Sequence, residues 1–100
     1  MIHVIATIDL VEGKRDAFLD EFRRIIKIVR DEDGCIEYGP AIDVETEIGE
    51  PARPNVVTVV EKWSNVPALE AHLKAPHMAR YREMVRDLVT GIKIQVLKPA

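Results

Sequence analysis

The sequence predicts an α+β domain whose helices lie on one side of an antiparallel sheet. Short stretches alternate apolar and polar residues with the period of a strand, and the segments between them repeat apolar residues with the period of a helix. Turn formers, Gly13, Gly34, Pro51, Pro54 and Pro76 among them, fall where one period gives way to the other. With 100 residues, 47% of them hydrophobic, the chain fits a single domain over residues 1–100 with one modest core.

Residues 2–10 put Ile2, Val4, Ala6, Ile8 and Leu10 on one face and His3, Ile5, Thr7 and Asp9 on the other, the pattern of a strand. Gly13 ends it. Phe18, Phe22, Ile25, Ile26 and Val29 follow at offsets of 4, 7, 8 and 11, the stripe of an amphipathic helix that Gly34 stops. Residues 35–44 read as a second strand interrupted at Gly39-Pro40; proline cannot donate to a ladder, so this strand is bulged there or lies at an edge. Residues 45–54, with Glu45, Glu47, Gly49, Glu50 and two prolines, form a long polar hairpin loop.

Residues 56–62 are the richest in β-branched side chains and lead into Trp63. Ser64 or Asn65 then caps a short helix with Pro67 in its first turn. Pro76 opens a further helix with Met78, Tyr81, Met84, Val85, Leu88 and Val89 turned inward and Gly91 as its stop; Ile92, Ile94 and Val96 alternate in a last strand. The order β-α-β-β-α-α-β is ferredoxin-like. Helices on one side leave the other face of the sheet bare, with Ile5 and either Val57 and Val59 or Val56 and Val60 on it. A bare, partly apolar face predicts a two-fold homodimer with sheets packed face to face.

Composition removes several classes. A net charge of −3 argues against nucleic acid or an anionic membrane as the main partner. The apolar runs are strand-sized, too short to span a bilayer. The N-terminus enters a strand with no charged and apolar leader, and Cys35 is the only cysteine, so the expected location is the reducing cytoplasm. Cys35 reads as a small buried hydrophobe. No Gly-rich phosphate loop, G-x-S-x-G elbow, C-x-x-C pair or EF-hand loop is present, so no nucleotide or flavin cradle is expected.

The densest chemistry lies between residues 61 and 78, where the only tryptophan, Trp63, precedes His72 and His77. A large aromatic beside two groups that titrate near neutrality suits a small-molecule site, although Trp63 is as readily a core anchor and each histidine a structural hydrogen-bonding group. Five residues of helix turn a side chain by roughly 140°, so His72 and His77 are not expected to share a face. With His3 far away in sequence, no metal site is expected. Tyr81 is in phase with the buried stripe and its hydroxyl needs a partner; Arg82 beside it reads more simply as a solvated charge.

These segments carry a resemblance. Asp33-Gly34-Cys35 with Tyr38 and Pro40, Glu61-Lys62-Trp63-Ser64, Leu69-Glu70-Ala71-His72-Leu73, Pro76-His77-Met78 and the closing residues 94–99 are similar to the antibiotic biosynthesis monooxygenase superfamily, within it most of all to bacterial quinol monooxygenases. The resemblance covers nearly the whole chain and implies a dimeric α+β barrel that oxidises a dihydroxy-aromatic substrate with O2 and no metal, haem or flavin. It makes His72 or His77 the base, Trp63 a wall against the ring, and Tyr81 or Arg82 a support for a phenolate, with Tyr38 and Thr7 completing the expected substrate-binding set. The haem-degrading branch places an asparagine, a tryptophan and a histidine where this chain has Thr7, His72 and Arg82 or Tyr81. The aromatic-polyketide branch places an asparagine and a tyrosine where this chain has Val59 and Leu69, though Trp63 and Arg82 match it. Two further readings on the same fold are an isomerase of a phosphorylated signalling sugar and a binding dimer without turnover.

Overall fold

The computed structural model describes residues 1–100. Four strands, β1 (Ile2–Leu10), β2 (Cys35–Ala41), β3 (Val56–Trp63) and β4 (Val89–Leu97), form one antiparallel sheet in the order β2-β3-β1-β4. Four helices, α1 (Arg15–Arg23), α2 (Ile26–Arg30), α3 (Val66–Lys74) and α4 (Pro76–Val85), supply the other layer, and a 3-10 turn at Arg86–Leu88 leads into β4. This is the expected ferredoxin-like α+β arrangement. No helix is long and apolar enough to cross a membrane.

The period-two pattern of β1 is carried out fully. Ile2, Val4, Ala6, Ile8 and Leu10 are buried, and the residues between them are half-buried on the other face. The pairing of Val4 with Glu61, Ala6 with Val59 and Ile8 with Val57 puts Val57, Val59, Glu61 and Trp63 on the same inner face. Phe18, Leu19 and Phe22 of α1, Val29 of α2, Leu69 of α3 and Met78 and Val85 of α4 close over it. Burying side chains of this size contributes about 1.5–3 kcal/mol each, the main term holding the layers together.

Several boundaries differ from the sequence reading. The helix expected to run from Gly13 to Gly34 is two helices: the N–H groups of Arg24 and Ile25 bond three residues back, to Glu21 and Phe22, and this tight turn breaks the α ladder. The second strand stops at Ala41, three residues short of the expected end. Its Pro40 is tolerated because β2 is an edge strand paired only with β3; the irregularity lies instead between Cys35 and Glu37. The free edge is covered in part by Arg30, whose Nε donates to the Tyr38 carbonyl at 2.9 Å. The last helix ends at Val85, so Leu88 lies in the 3-10 turn and Val89 and Gly91 belong to β4; Met84, still within the helix, is exposed and not turned inward. The capping prediction holds for Asn65, whose Oδ1 accepts from the Ala68 N–H at 2.9 Å, with Pro67 in the first turn.

A glutamate-bridged histidine pair beside an aromatic cavity

Three elements converge at the Trp63 end of β3. The turn after α2 supplies Glu32, α3 supplies His72 and α4 supplies His77. Gly34 fixes that turn against α3. Its φ of +85° lies in the left-handed region, and a Cβ there would sit 2.6 Å from that of Ala68, so only glycine fits. The Ser64 N–H also bonds the Gly34 carbonyl at 2.8 Å, tying the turn to the end of β3.

Glu32 uses one carboxylate oxygen, Oε2, for both imidazoles: His72 Nδ1 lies at 2.9 Å and His77 Nε2 at 3.0 Å. An ionised carboxylate accepts, so His72 carries its proton on Nδ1 and His77 on Nε2. The donor atoms of these three residues lie within 4.8 Å of one another. The two nitrogen–oxygen distances are nonetheless shorter than the roughly 3.3 Å edges of a tetrahedron with ~2.0 Å metal bonds, and they fit two N–H donors on one acceptor. The expectation that the two histidines point apart fails. It treated residues 72–77 as one helix, whereas Ala75, at φ −63° and ψ 140°, separates α3 from α4 and lets both rings reach the same oxygen.

His72 is 2% exposed and packed between aromatic rings. Trp63 lies against it with centroids 4.7 Å apart and a 34° tilt, and Tyr38 meets it edge-on at 5.5 Å. Burial disfavours the imidazolium and lowers the His72 pKa, with Glu32 opposing the shift. The ring is therefore neutral at pH 7, with Nε2 as its unprotonated nitrogen.

A cavity of about 110 Å³ opens between this cluster and the sheet. Its floor includes Ala6, Ile8 and Val59, and its polar groups are Tyr38, Glu61, His72, Tyr81 and Arg82. It shares Tyr81, Arg82 and Ile92 with an outer groove of about 240 Å³ that runs toward Val85 and Val89. The two together are near the lower end of the ~300–1,000 Å³ range of small-molecule sites. Burial raises the pKa of both Tyr38 and Tyr81, so each presents a neutral phenol. Arg82 is held by a bond from its guanidinium to the Leu73 carbonyl.

The expected site residues divide into two groups. His72, Tyr38, Tyr81 and Arg82 line the cavity. Trp63 is fully buried behind His72, so it buttresses the imidazole and does not form a wall against a ligand. His77 reaches the site only through Glu32; its other surroundings are a surface depression with Glu21, Arg80 and Met84. Thr7 is not brought in, because it pairs with Thr58 and Lys93 on the opposite face of the sheet, while its neighbours Ala6 and Ile8 face the cavity. Cys35 packs at the core margin, where burial and the nearby Glu32 raise its pKa and keep the thiol protonated.

Two residues carry more than the sequence suggested. Glu32 had no visible signal, since its partners are 40 and 45 residues away. Glu61 is 6% exposed, accepts the Trp63 Nε1–H at 2.8 Å, and has its pKa pushed up to about 7, mainly by burial. Its signal was present: Glu61 is in phase with Val57, Val59 and Trp63 on the covered face.

The site is thus a carboxylate-oriented imidazole facing a small aromatic cavity, set between the helices and the sheet of a ferredoxin-like α+β layer. Residues 1–84 match the model of the antibiotic biosynthesis monooxygenase family, and the chain belongs to that family. The chain is 36% identical to probable quinol monooxygenase YgiN of Escherichia coli, over 99% of this chain and 98% of that protein. Among solved structures, Rv0793 from Mycobacterium tuberculosis is 27% identical with a TM-score of 0.77, covering 99% of this chain and 94% of that one. PA3566 from Pseudomonas aeruginosa is 25% identical with a TM-score of 0.80, covering 99% and 93%.

Proposed function

We propose that the protein is a quinol monooxygenase that uses His72 as its base. The observation that carries this is the pairing of Glu32 with His72 Nδ1, which leaves Nε2 as the proton acceptor beside an aromatic-lined cavity. A quinol places one ring in the cavity, its hydroxyl at His72 and the rest of the molecule along the groove past Arg82. His72 removes the phenolic proton, Glu32 stabilises the imidazolium, and Arg82 stabilises the phenolate.

The quinolate then reduces O2 by one electron, and the semiquinone–superoxide pair combines to form a carbon–oxygen bond. Quinol plus O2 gives hydroxyquinone plus water: the substrate gives up four electrons and O2 takes up four. No outside reductant or cofactor is required by this equation. The helices keep water from the reacting ring. The functional unit in this reading is a two-fold homodimer joined through the bare face of the sheet, where Ile5 is half-buried and paired with the exposed Val60.

A phosphorylated-sugar isomerase fits less well, because Arg82, already bonded to the Leu73 carbonyl, is the only cation lining the cavity that could meet a dianion. The test is O2 consumption by the metal-free protein with a panel of reduced naphthoquinols, corrected for autoxidation. Chelator-insensitive uptake above background is expected. No uptake across the panel refutes the reading.

A further inference from the structure

We propose that Glu61 is a second catalytic residue, the acid that protonates the departing oxygen when the O–O bond of the substrate hydroperoxide breaks. This rests on the quinol-oxygenation reading. Glu61 reaches the cavity from the sheet side, on β3, while His72 reaches it from α3. The Trp63 indole fixes one oxygen, Oε1, at 2.8 Å. The second oxygen has no protein partner, and no sealed polar side-chain atom in the molecule lacks one, so Oε2 opens into the cavity.

Nothing basic competes for this carboxyl on its own strand; the titratable groups facing it are Tyr38 from β2, His72 from α3, and Tyr81 and Arg82 from α4, with Glu32 and the Cys35 thiol behind them. Burial pushes the Glu61 pKa up to about 7, which keeps a proton on Oε2 near neutrality, whereas burial keeps His72 unprotonated. Two groups in one cavity with pKa values displaced in opposite senses are an acid and a base.

The chemical step closes. After the quinolate combines with O2, the peroxide anion takes back the proton held by His72, giving a ring hydroperoxide. In the next step the electron pair of the adjacent C–H bond forms the new C=O bond and the O–O bond breaks. The distal oxygen leaves as water with the Glu61 proton. The C–H proton passes to neutral His72 and from there to the Glu61 carboxylate, restoring both groups. Without an acid at the distal oxygen, the hydroperoxide loses H2O2 and yields the unhydroxylated quinone, which is also balanced.

Glu61→Gln separates these outcomes, because its amide oxygen still accepts the Trp63 N–H. The assay is turnover under labelled O2 with a naphthoquinol, following label in the quinone and H2O2 in solution. Wild type is expected to give labelled hydroxyquinone with little peroxide. Loss of the acid slows O–O cleavage by about 10²-fold, so Glu61→Gln turns over more slowly and gives mainly unlabelled quinone and H2O2. Glu61→Asp, which keeps the acid but withdraws it by one methylene, is expected to give a mixture, and it serves as the test if the glutamine variant does not fold. Unchanged product ratios in the folded variants, or peroxide as the wild-type product, overturn the role of Glu61 while leaving quinol oxidation standing. Absence of quinol-dependent uptake by wild type overturns both.

Discussion

The two faces of one sheet differ sharply. On the covered face Val4, Val57, Val59 and Trp63 are nearly inaccessible, and two polar side chains, Glu61 and His72, are buried among them. On the bare face His3, Ile5, Thr7, Thr58 and Lys62 are half-buried, and the ion pair there, Lys62 with Glu37 at 3.6 Å, is partly solvated. The covered face spends apolar area on excluding water, and that exclusion raises the pKa of Glu61 and lowers that of His72. The bare face instead presents the exposed Val60 beside the half-buried Ile5 it pairs with. In the proposed reading, chemistry belongs to the first face and association to the second.

The contrast is broken most severely at His72. Replacing it with Gln is expected to lower kcat/KM by about 10²–10⁴-fold, the usual contribution of a positioned base, with folding retained in circular dichroism. Turnover equal to wild type removes the base from the covered face. Trp63→Ala is expected to cost about 3–5 kcal/mol in urea denaturation, because a fully buried indole leaves a void and Glu61 loses its donor. A cost below about 1 kcal/mol would show that the indole is not a buttress.

The pH dependence of stability has a definite sign. The folded pKa of Glu61 is raised from 4.5 to about 7, so its stabilising contribution is full below about pH 4.5 and fades as pH rises through about 7. His72 is lowered, so its contribution is full above the ordinary histidine pKa of about 6.5 and is lost as pH falls through the folded value. Relative to Glu61→Gln, wild type is expected to lose on the order of 3 kcal/mol between those limits, measured by denaturation at each pH. Parallel curves for the two proteins would place Glu61 in an ordinary solvated setting.

The sequence revealed the sheet before the site. Alternation in β1 and β3 and the Asn65 cap were visible, because each depends on neighbours within a few residues, whereas the second helix stops at Arg30, short of the expected Gly34. The same alternation already put Thr7 with His3 and Ile5 on the bare face, so its absence from the cavity was legible too. The meeting of His72 and His77 on Glu32 was not, since it depends on the break at Ala75 and on the turn at Gly34, neither of which a helical period contains. The early end of α4 was hidden for a similar reason: Leu88 and Val89 keep helical spacing after the backbone has left the helix.

Smaller effects sharpen the difference between the faces. Val60→Asp is expected to shift the sedimentation equilibrium from dimer toward monomer while quinol turnover falls less than in His72→Gln, because Val60 faces away from the cavity. A monomeric wild type would leave the bare face without a partner. Smallest of all, Asp43→Asn is expected to leave turnover unchanged: its pair with Arg53, at 2.8 Å, is exposed on the 42–55 loop, at the opposite end of β3 from Trp63. A large loss of turnover there would mean that the loop reaches the site.

The most direct test is anaerobic mixing of the protein with a reduced naphthoquinol at neutral pH, followed by absorption spectroscopy. With O2 absent, wild type should generate the bound quinolate spectrum, and His72→Gln should bind the quinol without generating it. Equal quinolate in both proteins, or none in wild type despite binding, would contradict proton removal by a buried, Glu32-oriented histidine.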